Sequence, residues 1–278
     1  MTATLAVDGL TKTYSTGKGR PVVTAAQDIA FELGHGESLG VVGESGSGKT
    51  TVARMIVGLT TPDSGTIRVA GRERTGRVRG SRRRLERAKE VQMVFQDPYG
   101  SLDRRLTVRA ALDDVLRRHR PEESRQDRTT RVSDLLDCVG LKPILADSHP
   151  HQLSGGQRQR VAIAKALAVG PSVLVLDEAV SALDVSVQAQ ILALLNQIRA
   201  DTGVSLLFVS HDLAVVSEVT DKVLVMYRGK VVESGATQDV LRDPQHAYTE
   251  MLLSSAPGPQ WRPERVAQLR AEFAGSER

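Results

Sequence analysis

Cysteine is all but absent from this sequence of 278 residues, with Cys138 standing alone. One thiol excludes an intramolecular disulfide framework, a cysteine-based zinc site and a four-cysteine iron-sulfur cluster, and it fits a reducing compartment. Long apolar runs are missing as well. Runs such as Val161 to Val169 and Val204 to Val209 fall far short of the roughly 18 apolar residues of a membrane span, and the first contains Lys165. At the start of the chain, Asp8 and Lys12 interrupt short apolar pieces, so no signal peptide is expected and any membrane role should come through a partner. Aromatic residues make up only 3%, and the charge excess is small, +4. That excess gathers partly in one arginine-rich stretch and decides little about partners.

What is present is the composition of a folded globular chain, 40% hydrophobic and 25% charged, long enough for one substantial domain with insertions. Short apolar runs bounded by Gly, Asp or Ser read as buried strands at Leu39 to Val42, Val173 to Leu176, Leu206 to Val209 and Val223 to Tyr227. Helical patterns lie between them. Val187, Ile191, Leu194, Leu195 and Ile198 form one helix face, and Gly203 follows where a C-cap belongs. The alternation predicts an α/β fold with a largely parallel sheet. Residues 97 to about 152 show helical patterns around Val108 to Leu116 and Val132 to Val139, which predicts an inserted helical subdomain. From Asp243 onward, Pro244, Pro257, Pro259 and Pro263 predict an extended or loosely packed appendage.

Gly43-Glu44-Ser45-Gly46-Ser47-Gly48-Lys49-Thr50 matches G-x-x-x-x-G-K-[ST] between an apolar strand and a helical pattern, Val52 to Val57. Glycines let backbone N–H groups curl around phosphate oxygens, and the helix N-terminus adds positive potential. Lys49 reaches the β and γ phosphates, and the Thr50 hydroxyl can ligate Mg²⁺. The nucleotide-binding set is taken to run through Thr51. Downstream, the strand Val173 to Leu176 ends in Asp177 and Glu178, which suit an Mg²⁺ water shell and the activation of an attacking water. Guanine recognition through Asn-Lys-x-Asp is missing, because the only asparagine, Asn196, is followed by Gln197. Adenine is expected. Ser154-x-x-Gln157 has capping-box spacing ahead of the helix Val161 to Val169, with Gly155 and Gly156 permitting close approach to an anion.

Leu153-Ser154-Gly155-Gly156-Gln157-Arg158-Gln159-Arg160 closely resembles the signature of ATP-binding cassette (ABC) proteins, and family motifs run from Leu5 to about Gly235. The resemblance implies a P-loop NTPase (RecA-like) core with an N-terminal antiparallel β subdomain and an inserted α-helical subdomain at about 97–165. It divides the chain into a nucleotide-binding domain, 1–243, and a tail, 244–278. It implies that Tyr14 stacks on adenine, that Ser154, Gly155, Gly156, Gln157 and Asp184 contact ATP, and that Thr50, Gln96 and Asp177 serve Mg²⁺. Glu178, His211 and Gln96 would be catalytic, with Asp184 closing the D-loop Ser181-Ala182-Leu183-Asp184.

Phe95-Gln96-Asp97-Pro98, the stretch Ala179 to Gln190 and Asp243-Pro244-Gln245-His246-Ala247-Tyr248-Thr249 are similar to the ATPases of peptide and nickel importers. The resemblance therefore implies an importer of short peptides. Its partners would be a second cassette, itself or a paralogue, in a head-to-tail dimer, two transmembrane permease subunits and an extracytoplasmic binding protein. The place of work would be the cytoplasmic face of the membrane. A nickel or other small-solute transporter is the alternative, and behind it a soluble ABC ATPase acting on nucleic acid, which the absence of coiled coils and zinc modules disfavours. The arginines from Arg72 to Arg87 read as a solvated face, with anionic lipid or nucleic acid as other uses; no aromatic side chain is interleaved for base stacking.

Overall fold

The computed structural model describes residues 3–15, 22–76 and 80–255. Two compact units emerge, Met1–Gly76 with Leu207–Arg278, and Arg77–Leu206. In the first, β1 (Leu5–Ser15), β2 (Val22–Leu33), β4 (Ser64–Val69) and β5 (Arg72–Glu73) form an antiparallel sheet in the order β2-β1-β4-β5. Leu5, Val7 and Leu10 of β1 face the core with Ala26, Ile29 and Leu33 of β2. Irregularities between Val7 and Thr13 break the period-2 alternation that would have marked β1 in the sequence. Asp63 clamps the end of β1, accepting from Lys12 Nζ at 2.7 Å and from the Thr13 amide and hydroxyl at 2.7 and 2.8 Å. Those bonds, the Lys12 one foremost, hold its carboxyl down at about 2.

In the chain, β3 (Ser38–Val42) comes between β2 and β4 but belongs to the other sheet, and it is buried along its whole length as an interior parallel strand requires. The loop that follows enters α1 (Lys49–Val57), which ends on Gly58 at φ +83 with its amide bonded back to Arg54 and Met55.

The second unit begins with α2 (Ser81–Glu90), which buries no side chain, whereas Arg74, expected on the same solvated arginine face, is buried at 6% exposure in the first unit. The Arg82–Glu86 pair of α2 is fully at the surface and adds little stability. Arg77 and Arg79 lie outside the described residues. Then come β6 (Val91–Val94), α3 (Pro98–Ser101), α4 (Val108–His119), α5 (Arg125–Cys138), two 3-10 turns, α6 (Gly155–Leu167), β7 (Val173–Asp177) and α7 (Val185–Thr202). β6 and β7 pair in parallel, Val91 opposite Val173 through Val94 opposite Leu176. Val108, Leu112 and Leu116, one turn apart on α4, are buried, as are Val132, Leu135 and Leu136 of α5 and Val161 to Ala164 of α6. Thr107 caps α4 and Ser124 with Asp127 caps α5. Gly203 closes α7 in the left-handed conformation, at φ +70.

β8 (Ser205–Ser210) carries the chain back into the first unit. There α8 (Leu213–Ser217), β9 (Lys222–Tyr227), β10 (Lys230–Ala236), α9 (Thr237–Arg242) and α10 (Ala247–Ser255) follow. β9 pairs in parallel with β3 and antiparallel with β10. Ser38 and Asp221 lock the first of these pairings, with the Ser38 amide and hydroxyl donating to Asp221 Oδ2 at 2.9 and 2.8 Å. The appendage expected after Asp243 is in fact helical over Ala247–Ser255, with Tyr248, Thr249 and Met251 buried. Pro244 precedes the helix and the segment itself is free of proline, so nothing in it opposes helix formation. Pro257, Pro259 and Pro263 lie outside the described residues.

Candidate functional site

In the first unit the loop from Gly43 to Gly48 owes its path to backbone conformations closed to other residues. Gly43, Gly46 and Gly48 have φ of +151, +84 and +106. A Cβ on Gly43 would fall 2.2 Å from the Met226 carbonyl oxygen, and one on Gly48 would fall 1.9 Å from that of Ala25. The loop is thus pressed against β2 and the β9–β10 hairpin, whose Gly229 amide donates to the Ser47 carbonyl at 2.9 Å. Gly48 is the N-cap of α1 and brings no side chain to cap it.

The Lys49 side chain is 4% exposed and folds over the loop, donating to the Gly43 carbonyl at 2.7 Å and the Glu44 carbonyl at 2.9 Å. Buried Ser47 Oγ has no hydrogen-bond partner among the described residues. A curled backbone at a helix N-terminus, an ammonium resting on the loop's own carbonyls and an unpartnered hydroxyl together suit an incoming polyphosphate. From α10, the Tyr248 hydroxyl oxygen accepts the Glu44 amide at 2.9 Å. Burial pushes that hydroxyl up to about 12, so it keeps its proton at neutral pH. Tyr14, at 40% exposure, leaves much of its ring open on β1, with Lys12 Nζ 5.6 Å from its centroid. His211 is exposed where β8 ends, next to Asp212, whose carboxylate caps α8.

Thr50 and Thr51 lie in the first turn of α1, and the second unit holds Gln96, Ser154 to Gln157, Asp177, Glu178 and Asp184. Asp177 ends β7 and is 6% exposed. Glu178 follows at φ +49, a left-handed backbone costly for a residue with a Cβ. Its carbonyl accepts from the Ser181 amide at 3.2 Å and the Ser181 hydroxyl at 2.9 Å, and that hydroxyl in turn accepts from Gln96 Nε2 at 3.4 Å. Gln96, Ser181 and Glu178 thus form one chain of contacts. Ser154 caps α6 with both halves of the capping box made, 3.3 Å to the Gln157 amide and 2.9 Å back from the Ser154 amide to Gln157 Oε1. Gly156 packs closely on α7: a Cβ there would fall 2.5 Å from Val187 Cγ1, so a side chain would have to displace Val187. Asp184 is exposed at the N-cap of α7, and its carbonyl rather than its side chain holds the first turn. Sequence reasoning missed two connections, Ser181 between Gln96 and Glu178, and Tyr248 on the loop. Neither has a spacing signature, since both depend on residues brought together from separate elements.

Residues 26–181 match the family model described as ABC transporter. The chain belongs to the ABC transporter family. A second model, the C-terminal region of oligopeptide/dipeptide transporters, matches residues 232–275. A probable peptide ABC transporter ATP-binding protein of Sinorhizobium fredii is 46% identical over 262 residues, covering 92% of this chain and 73% of that protein. The oligopeptide transport ATP-binding protein OppF of Salmonella typhimurium is 45% identical over 235 residues, 84% of this chain and 70% of that protein. Among solved structures, a dimeric ATP-binding cassette in a post-hydrolysis state bound to ADP and Pi superposes with a TM-score of 0.74 at 28% identity, covering 84% of this chain and 98% of that one. cbiO1 of Clostridium perfringens, part of an ABC transporter complex, gives 0.76 at 26% identity over 97% and 99%. These likenesses agree with the α/β cassette fold expected from the sequence, and this ABC chain is an ATP-binding ATPase.

Lys49→Ala in this cassette is expected to weaken Mg-ATP binding about ten- to a hundredfold, the equivalent of losing one charge-assisted contact of roughly 1.5 to 3 kcal/mol. Titration calorimetry measures it directly, and an unchanged affinity would remove Lys49 from the phosphate contacts.

Proposed function

We propose that this ATPase energises the uptake of short peptides. The match of residues 232–275 to the C-terminal region of oligopeptide/dipeptide transporters carries the reading, and the names of the relatives support it. The partners are a second cassette, two transmembrane permease subunits and an extracytoplasmic binding protein, and the subunit works at the cytoplasmic face of the membrane. Among the described residues no helix is long and apolar enough to cross a membrane, so on this reading the permeases supply the spans. The dimeric state of a solved cassette supports a pair of cassettes, which this reading arranges head to tail. So does the exposure of Asp184 beside Val185, an apolar side chain 82% exposed.

Within the pair, Gly43 to Thr51 cradle the phosphates of ATP, Tyr14 stacks on the adenine, and Ser154, Gly155, Gly156, Gln157 and Asp184 meet the nucleotide held by the other cassette. Thr50, Gln96 and Asp177 offer only oxygen ligands, the donors a hard divalent cation takes. Bound Mg²⁺ supplies neutralisation of the charge that develops on the phosphates. Glu178 accepts the proton of the attacking water as the new P–O bond forms and the bond to ADP breaks, while His211 and Gln96 hold the reacting groups. The domain division is read as a nucleotide-binding domain at 1–243 with its helical insertion at about 97–165, followed by the tail.

Deletion of the gene is expected to abolish uptake of radiolabelled di- to pentapeptides, with restoration by the intact gene. Intact peptide uptake with loss of nickel uptake would overturn the substrate and leave the ATPase.

A further inference from the structure

We propose that Tyr248 is a positioning residue of the phosphate loop, through which the C-terminal helix α10 sets the affinity for ATP. The inference rests on the reading of Gly43 to Thr51 as the ATP cradle and goes beyond it, because it brings in a helix that contributes no phosphate ligand.

One peptide plane carries the argument. The bond joining Gly43 to Glu44 presents its carbonyl to Lys49 Nζ at 2.7 Å and its N–H to the Tyr248 hydroxyl oxygen at 2.9 Å. A peptide unit is rigid, so its carbonyl and N–H turn together. Gly43 at φ +151 puts no side chain in the way of such a turn. A pair of hydrogen bonds, one from each side, holds the plane. Tyr248 therefore fixes the direction of the carbonyl on which the Lys49 ammonium rests, two bonds away from the group meant for phosphate.

Tyr248 is itself held on three sides. It is fully buried, and its ring lies 4.4 Å, centroid to centroid, from that of Tyr227 at the end of β9. Its amide donates to His246 Nδ1 at 3.1 Å. The start of the segment is tied to β10 by Glu233, whose carboxylate accepts the amides of Gln245 and His246 at 2.8 and 3.1 Å. An unbroken series of bonds thus runs from Glu233 through the His246–Tyr248 turn to the loop. Without the Tyr248 hydroxyl the Glu44 amide loses this acceptor, the plane keeps only its Lys49 bond and is less firmly held, and ordering it again opposes nucleotide binding.

Tyr248→Phe removes the one oxygen and keeps the ring against Tyr227. In the full chain it is expected to bind Mg-ATP about tenfold more weakly by calorimetry, with little change in the melting temperature without nucleotide. In the assembled transporter KM for ATP should rise while kcat holds, a split that a purely structural loss would not produce. Glu233→Ala, which loosens the start of α10, should move affinity in the same direction by less. Unchanged Mg-ATP affinity in Tyr248→Phe, with or without lower stability, overturns the proposal. If that variant does not fold, unchanged affinity in Glu233→Ala overturns it equally. Failure of the parental chain to bind Mg-ATP would instead overturn the ATP cradle on which the proposal rests.

Discussion

Glu178→Gln is expected to slow ATP hydrolysis by about 10² to 10⁴, equivalent to roughly 3 to 5 kcal/mol of barrier, while leaving ATP binding in place. Glutamine keeps the size and hydrogen-bonding shape of the side chain and loses only the capacity to take a proton. The backbone should not notice the exchange. Its φ of +49 is equally awkward for either residue, and the two bonds from Ser181 go to the carbonyl oxygen, not the side chain. Melting temperature should therefore stay put while turnover collapses. With the γ-phosphate retained, the variant should accumulate as an ATP-bound dimer on size exclusion, and phosphate release from the assembled transporter should stall. Hydrolysis at the parental rate would remove Glu178 as the base. Glu178→Gly separates chemistry from strain: it should lose hydrolysis to the same degree yet melt no lower, because glycine adopts a left-handed backbone without the Cβ penalty.

That a carboxylate with a strained backbone should sit at this point was only half legible in the sequence. The strand Val173 to Leu176 and the acids after it could be read because a doubly covered parallel strand is written as an uninterrupted apolar run. The same held for β3, β8 and β9. It failed for β6, whose Val-Gln-Met-Val follows Lys89 and Glu90 and has only its end residues fully buried. β1 and β2 stayed hidden for another reason: their irregular pairing shifts the side chains from one face to the other, so the alternation that marks a half-exposed sheet is lost. Their presence was expected from family resemblance, not from periodicity.

The site shows the same divide. Local chemistry was legible: Ser154 and Gln157 make the reciprocal cap their spacing announces, and Gly203 stops α7 where it should. Connections between distant segments were not. No spacing rule links Gln96 to Ser181 across 85 positions, or Tyr248 to Glu44 across 204. In the tail, attention to proline hid the helix that carries Tyr248, since the residues that break structure lie around Ala247–Ser255 and not within it. A single exposed hydroxyl or amide can be read from sequence only when its partner is three or four residues away; beyond that, tertiary packing decides.

The glycines of the phosphate loop are where such packing makes its sharpest demand, and Gly48→Ala should be the more damaging of two similar substitutions. At φ +106 an alanine is strained whatever the space around it, and its Cβ would lie 1.9 Å from the Ala25 carbonyl oxygen. That oxygen belongs to backbone and cannot rotate away. β2 is paired with β1 on both sides of it, Ala26 opposite Lys12 and Thr24 opposite Thr13, and the neighbouring Gln27 amide is bonded to the Gly229 carbonyl at 2.7 Å. Relief can come only from moving the start of α1 away from β2, which carries Lys49 and Thr50 with it. Mg-ATP affinity should fall by more than about a hundredfold, roughly 3 kcal/mol or above, and the melting temperature without nucleotide should drop clearly. Gly46→Ala sets the scale. Gly46 has φ of +84 with nothing within 4 Å of an added Cβ, so it carries only the conformational penalty, about 1 kcal/mol, and a small loss of melting temperature. Equal melting temperatures for the two variants, or near-parental ATP binding by Gly48→Ala, would show that the close approach of β2 does not shape the loop.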